Sequence, residues 1–182
     1  MAKSTHTRPF SMRPSRYAPQ ARSRLGRVAL LILLAFFGFL LFKGRVVQVH
    51  DGDTLSVLLS GARMEKVRLY GIDTPEAAQR GGSEATAFTR EKAFLGEVEL
   101  TVKETDQYGR KVAIVRLPDG MLLNEELLRA GHAWVYRNYC REAICATWLL
   151  MEEEARRAKR GLWKDPNPQA PWEWRRKNHN SR

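Results

Sequence analysis

Histidine and cysteine are scarce in this chain of 182 residues, with four of the first and two of the second. That scarcity removes several chemistries at once. Cys140 and Cys145, with no histidines clustered beside them, make a poor zinc site. Neither thiol has a catalytic partner, and no serine–histidine–acid arrangement competes, because His6 and His179 lie in the tails and His132 follows Gly131 at a helix end. Only His50 falls near a group of acids. Five positions apart on one regular helix, the two cysteines would face different ways, so a bridge between them requires a turn.

Acid is missing altogether from residues 1–27, where seven Lys and Arg side chains account for most of the formal net charge of +11. Pro9, Pro14 and Pro19 stand among Ser, Thr and Arg there, and residues 1–24 read as a disordered basic tail. Charge of either sign is absent from Val28 to Phe42, VALLILLAFFGFLLF. A soluble helix of a small domain should show one polar face, and this run has none. No small-residue cleavage pattern follows it. Residues 25–43 are therefore expected to be a transmembrane helix in contact with the lipid bilayer. The excess of positive charge before it places residues 43–182 on the extracytoplasmic side, or secretes them if the segment is cleaved.

The densest chemistry lies in residues 50–76, HDGDTLSVLLSGARMEKVRLYGIDTPE. Asp51-Gly52 is a strong turn pair between two strands, 45–49 and 54–59. Residues 65–70 alternate, with Val67 and Leu69 on one face and Lys66, Arg68 and Tyr70 on the other. Folded together, these strands bring Asp51, Asp53, Asp73 and Glu76 to one end of a sheet. Carboxylates so gathered need a positive partner, and a hard, oxygen-preferring cation such as calcium suits them. Arg68 and Arg110 offer paired donors that match two phosphate oxygens. The blander alternative pairs each with a surface acid, Glu65 or Asp106. Glu76, left over once ligands are assigned, can take a proton from an attacking water.

Further along, Ser83 is placed to cap a helix over 84–95, strands follow at 97–103 and 110–117, and Asn124 is placed to cap a helix over 125–130. A longer helix is expected over 141–159. Five short strands with one inserted helix and helical C-terminal segments predict a mainly β, α+β domain: a five-stranded barrel of the oligonucleotide-binding type, with the acids at one rim. The tail 164–182, rich in Pro and Trp, is expected to fold back over the domain at 44–163.

Four ordered stretches, VHDGDTLSV, VRLYGIDTPE, DQYGR and NEELLRAGHAWVY, resemble the staphylococcal-type thermonuclease family from about Gly44 to Trp163. The resemblance implies a calcium-dependent endonuclease, a phosphodiesterase that cleaves DNA and RNA with little sequence preference and leaves 3′-phosphate ends. It makes Asp53 and Asp73 the calcium carboxylates with the Thr74 carbonyl beside them, and Asp51 a supporting acid one step from the metal. Arg68 and Arg110 hold the phosphate, Glu76 is the general base, Tyr108 lines the pocket, and Tyr136 or Tyr139 flanks the nucleotide. Single-stranded substrates are expected to be favoured. Two other readings use the same residues differently: a non-catalytic nucleic-acid-binding module on this barrel, or an envelope adaptor acting through the C-terminal tail.

Overall fold

A computed structural model describes residues 41–179. Strands β1 (Leu41–Val49), β2 (Thr54–Leu59) and β3 (Arg63–Leu69) form an antiparallel meander. After β4 (Ile72–Asp73) and helix α1 (Gly82–Ala93) come β5 (Glu97–Thr105) and β6 (Lys111–Arg116). The five long strands close in the order β1-β2-β3-β6-β5. The barrel expected from the sequence is present, and closure leaves it no open strand edge. Its interior is built by alternation: Val46, Leu55, Val57, Val67, Leu69, Leu100 and Val115 are all buried.

The predicted membrane-spanning helix requires correction. Its last residues, Leu41, Phe42 and Lys43, lie in β1 and pair with Thr101, Leu100 and Glu99 of β5. Backbone groups committed to a neighbouring strand cannot also close the internal ladder that a spanning helix needs. Residues 25–40 of that expectation lie outside the described residues. Among the described residues no helix is long and apolar enough to cross a membrane. The bilayer partner and the extracytoplasmic placement rested on that helix and fall with it.

Helices α2 (Leu123–Arg129) and α3 (Ile144–Arg157) pack beside the barrel, and β7 (Trp134–Val135) pairs with β4. Three local expectations also change. Ser83 lies inside α1 and donates to Glu84, while Gly81 stands at the cap position. Asn124 caps nothing: it is fully buried, accepts from the Val115 amide at 3.1 Å and donates to the Tyr70 carbonyl at 3.0 Å. It thus satisfies two backbone groups where β6, α2 and the end of β3 meet. Tyr70, expected on the outer face, is buried against Trp148 with ring centroids 6.3 Å apart. The strand ends at Leu69, so strict alternation no longer governs the residue after it.

Cys140 and Cys145 form a disulfide. Cys140 precedes α3, which supplies the turn a bridge requires. The closed loop is short, so the bridge is expected to contribute about 2 kcal/mol, chiefly by restricting the unfolded chain. Reductant should lower the urea midpoint accordingly; an unchanged midpoint would show that the bridge carries no stability.

The last segment runs through a 3-10 turn (Gly161–Lys164) into helix α4 (Pro171–His179). Trp163 packs edge-on to Trp134 at 5.0 Å, Ala170 is buried, and Gln79 donates to the Gln169 carbonyl at 2.7 Å. The tail folds back over the domain. Proline suits the first turn of a helix, where its missing N–H has no intrahelical role.

Candidate active site at the barrel rim

The β1–β2 turn carries Asp51 and Asp53, and the Asp53 amide donates to the Asp51 carboxylate at 3.0 Å. Gly52 between them is required by close approach. A Cβ there would lie 2.7 Å from the Thr74 hydroxyl and 2.9 Å from the Ala85 Cβ. Its carbonyl accepts from Thr89 of α1 at 2.6 Å. Asp53 is buried, and one of its oxygens accepts from both the amide (2.7 Å) and hydroxyl (2.8 Å) of Thr74. The turn after β4 is thereby fastened to the turn before β2, although the two are far apart in sequence.

Arg68 sits between the inward Val67 and Leu69 of β3 and so faces the opposite way. Its guanidinium donates to the carbonyls of Leu69 (3.0 Å) and Ile72 (2.9 Å) and to Asp73 (2.7 Å), and its Nε lies 3.2 Å from Asp53. One planar fork therefore holds both acids and the backbone of β4. Asp73 itself is set by the β4–β7 ladder, where it pairs with Trp134 while Ile72 pairs with Val135. Glu152 of α3 fixes that ladder from behind by accepting from the Val135 amide at 2.6 Å.

Glu76 follows Pro75 in a turn closed by a bond from the Gln79 amide to the Glu76 carbonyl, 2.8 Å. Gly82, the first residue of α1, lies so close that a Cβ would stand 2.0 Å from that carbonyl. Helix α1 can pack here only because this position has no side chain. Arg110 immediately precedes β6 and pairs through Nε with Asp106 at 2.7 Å. The bland surface pairing therefore does occur for Arg110, whereas Arg68 pairs with Asp53 and Asp73 in place of Glu65. Arg110 also lies over the exposed Tyr108 ring, 5.4 Å from its centroid.

All nine residues singled out from the sequence, Asp51, Asp53, Arg68, Asp73, Thr74, Glu76, Tyr108, Arg110 and Tyr136, line one cleft of about 650 Å³, and Tyr139 lines it too. One group at this rim, Arg175, was missed, and a tryptophan of the Pro- and Trp-rich tail lies beside it. Arg175 of α4 bonds to Asp73 at 2.7 Å and to Glu76 at 2.6 Å. Trp172, one turn earlier, stacks on Tyr136 with centroids 5.3 Å apart and planes 6° from parallel. The sequence offered only a Trp-rich tail carrying basic residues, with nothing to say where it lands.

Burial pushes the Asp51 carboxyl up to about 6, and the neighbouring Asp53 charge adds to the rise. Burial likewise raises Asp73 to about 6, against the pull of Arg175 and Arg68. Carboxylates removed from water in this way gain most from an added positive charge. Among the described residues no group of three His, Cys, Asp or Glu side chains is arranged to hold a metal. Asp53 and Asp73 are the two buried carboxylates at this rim that could offer oxygens to a hard cation. Calcium accepts such oxygen donors, and zinc or copper would not favour them.

Comparison with known proteins agrees with this geometry. The family described as "Staphylococcal nuclease homologue" matches residues 66–165, more than half of the chain. The chain belongs to the staphylococcal nuclease family. A micrococcal nuclease of Shigella flexneri is 37% identical over 169 residues, covering 88% of this chain and 96% of that protein. An uncharacterized endonuclease of Escherichia coli O157:H7 is 41% identical over 132 residues, covering 72% of this chain and 84% of its own. A further uncharacterized endonuclease, from Haemophilus influenzae, is 37% identical over 132 residues, 72% of each chain. Both Asp73 and Glu76, with the Arg68 and Arg110 guanidinium groups, fall inside the matched family region; the Asp51–Asp53 turn precedes it.

Proposed function

We propose that this calcium-dependent nuclease hydrolyses DNA and RNA internally with little sequence preference, using the rim cleft and leaving 3′-phosphate ends. The observation that supports the reading best is the single Arg68 guanidinium bonded to Asp73 and within reach of Asp53, beside Glu76, in a cleft also lined by Arg110. Asp53, Asp73 and the Thr74 carbonyl would hold calcium. When bound there, calcium supplies a Lewis acid that polarises a phosphoryl oxygen.

The protein groups do the rest. Glu76, partly exposed at the cleft, accepts a proton from the water that attacks phosphorus. Arg68, its backbone bonds holding it in one orientation, and Arg110, steadied by Asp106, present positive charge where the equatorial oxygens gain negative charge. Cleavage of the bond to the 5′ oxygen leaves the phosphate on the 3′ side. Tyr108 and Tyr136 supply aromatic faces beside the phosphate position. Asp51 holds the Asp53 amide and so orients the first ligand.

The test is digestion of single-stranded DNA by the intact chain with calcium or with chelator, beside Glu76→Gln. Cutting should require calcium. The variant should lose at least ~100-fold in rate, the order expected for a positioned proton-transfer group, while its thermal midpoint changes little. Binding of DNA without cutting in either condition would overturn the reading and leave the rim a docking surface.

A further inference from the structure

Both oxygens of Asp73 accept hydrogen bonds from guanidinium groups. One takes Arg68 at 2.7 Å and Arg175 at 3.3 Å, and the other takes Arg175 at 2.7 Å. Arg175 also reaches Glu76 at 2.6 Å, so a single cationic group from the C-terminal helix spans the proposed ligand and the proposed base. A divalent cation needs the same lone pairs, and it would repel a guanidinium placed against them. The two arginines are not equal in this respect. Arg68 is 14% exposed and tied to the backbone carbonyls of Leu69 and Ile72, whereas Arg175 is 36% exposed and is held through Asp73 and Glu76.

A second contact lies on the same helix. Trp172 and Arg175 are three residues apart and share one face of α4. Trp172 lies flat on Tyr136, the residue assigned to the nucleotide, at 5.3 Å. One side of α4 therefore covers an aromatic substrate surface together with Asp73, which would bind the metal, and Glu76, the proposed base. The start of the helix is anchored separately, through buried Ala170 and the Gln169 carbonyl. The tail up to Ala170 therefore has contacts of its own that do not depend on Arg175.

We propose that Arg175 and the divalent cation are competing occupants of Asp73, so that cation binding displaces Arg175 from Asp73 and Glu76, lifts α4 off the site and uncovers Tyr136. This rests on the assignment of Asp73 as a cation ligand made above. A latch closed about nine-tenths of the time weakens apparent affinity about tenfold, because only the open fraction binds.

Calorimetric titration of the intact chain with calcium tests this without reference to activity. Arg175→Ala should bind calcium ~10-fold more tightly than the unaltered protein. Arg176→Ala removes the same charge one residue away and should shift affinity less than about twofold, since an exposed charge is screened. Calcium should also change the tryptophan emission of the unaltered protein, and Trp172→Phe should abolish most of that change. Equal or weaker calcium binding by Arg175→Ala overturns the competition and makes Arg175 a supporting group of the site. Equal tightening by Arg176→Ala overturns it as a general charge effect. An unaltered protein that binds no calcium at all refutes the calcium assignment itself, a failure seen before any variant is compared.

Discussion

Arg68→Ala is expected to remove activity and a large part of the stability together. Asp53 and Asp73 are both buried, and Arg68 contacts the two of them while also closing the carbonyls of Leu69 and Ile72. Removing one partner of a buried ionic group leaves uncompensated charge and costs roughly 3–5 kcal/mol. For a domain of this size that is a fall of roughly 10 °C in Tm. Hydrolysis should drop at least ~100-fold as well, because the donor proposed for the developing phosphate charge is lost. Arg68→Lys keeps the charge without the fork and should recover part of the stability but little of the rate. The pair is read by thermal unfolding and by single-turnover cleavage. A variant Arg68→Ala with an unchanged Tm would show that the rim acids do not depend on this guanidinium. The contrast with Glu76→Gln is informative, since Glu76 is partly exposed and its replacement should affect rate alone.

Trp148→Ala should produce the largest loss that leaves the chemical groups themselves untouched. Trp148 is fully buried in α3 against Tyr70, and its indole N–H donates to Glu125 at 3.2 Å. Truncating a buried tryptophan costs roughly 3–5 kcal/mol, through lost burial and the cavity left behind. The effect should also reach the site. Tyr70 and Gly71 lead directly into β4, and the Gly71 carbonyl accepts from the Tyr136 amide at 2.9 Å. Relaxation into the cavity would shift the ladder that carries Asp73 and Tyr136. A lowered urea midpoint with a modest loss of rate is the expected outcome. An unfolding free energy within about 0.5 kcal/mol of the unaltered protein, the range of surface substitutions, would mean that α3 does not support the core.

Much of the site is local in origin and therefore visible in the chain. The Asp51-Gly52-Asp53 turn needs its glycine because Thr74 and α1 press against it, and the acids stand on either side of that glycine in sequence. Arg68 follows from strand alternation, since a residue between Val67 and Leu69 must face away from the core. The family resemblance then gave the same residues their roles, and the cleft contains all of them. Where alternation stopped, the reading failed: Tyr70 lies one residue past the strand and turns inward. Capping chemistry misled at Asn124 for a related reason. The residue type suits a helix start, but a buried amide with two backbone partners is satisfied only by groups that folding brings to it.

The apolar run marks another boundary. Its composition is that of a spanning helix, yet its last residues pair with β5, because hydropathy records how a segment avoids water and not which backbone partners it finds. Arg175 shows the same limit at the active site. It lies 102 residues from Asp73 in sequence, and no local pattern couples the two. By itself, the sequence determined the barrel, the acids at its rim and Arg68 between them, because turns and strand alternation act over a few residues. Only the tertiary structure decided where Asn124, Tyr70 and α4 would bond, because those contacts depend on surfaces that exist only once the barrel has closed.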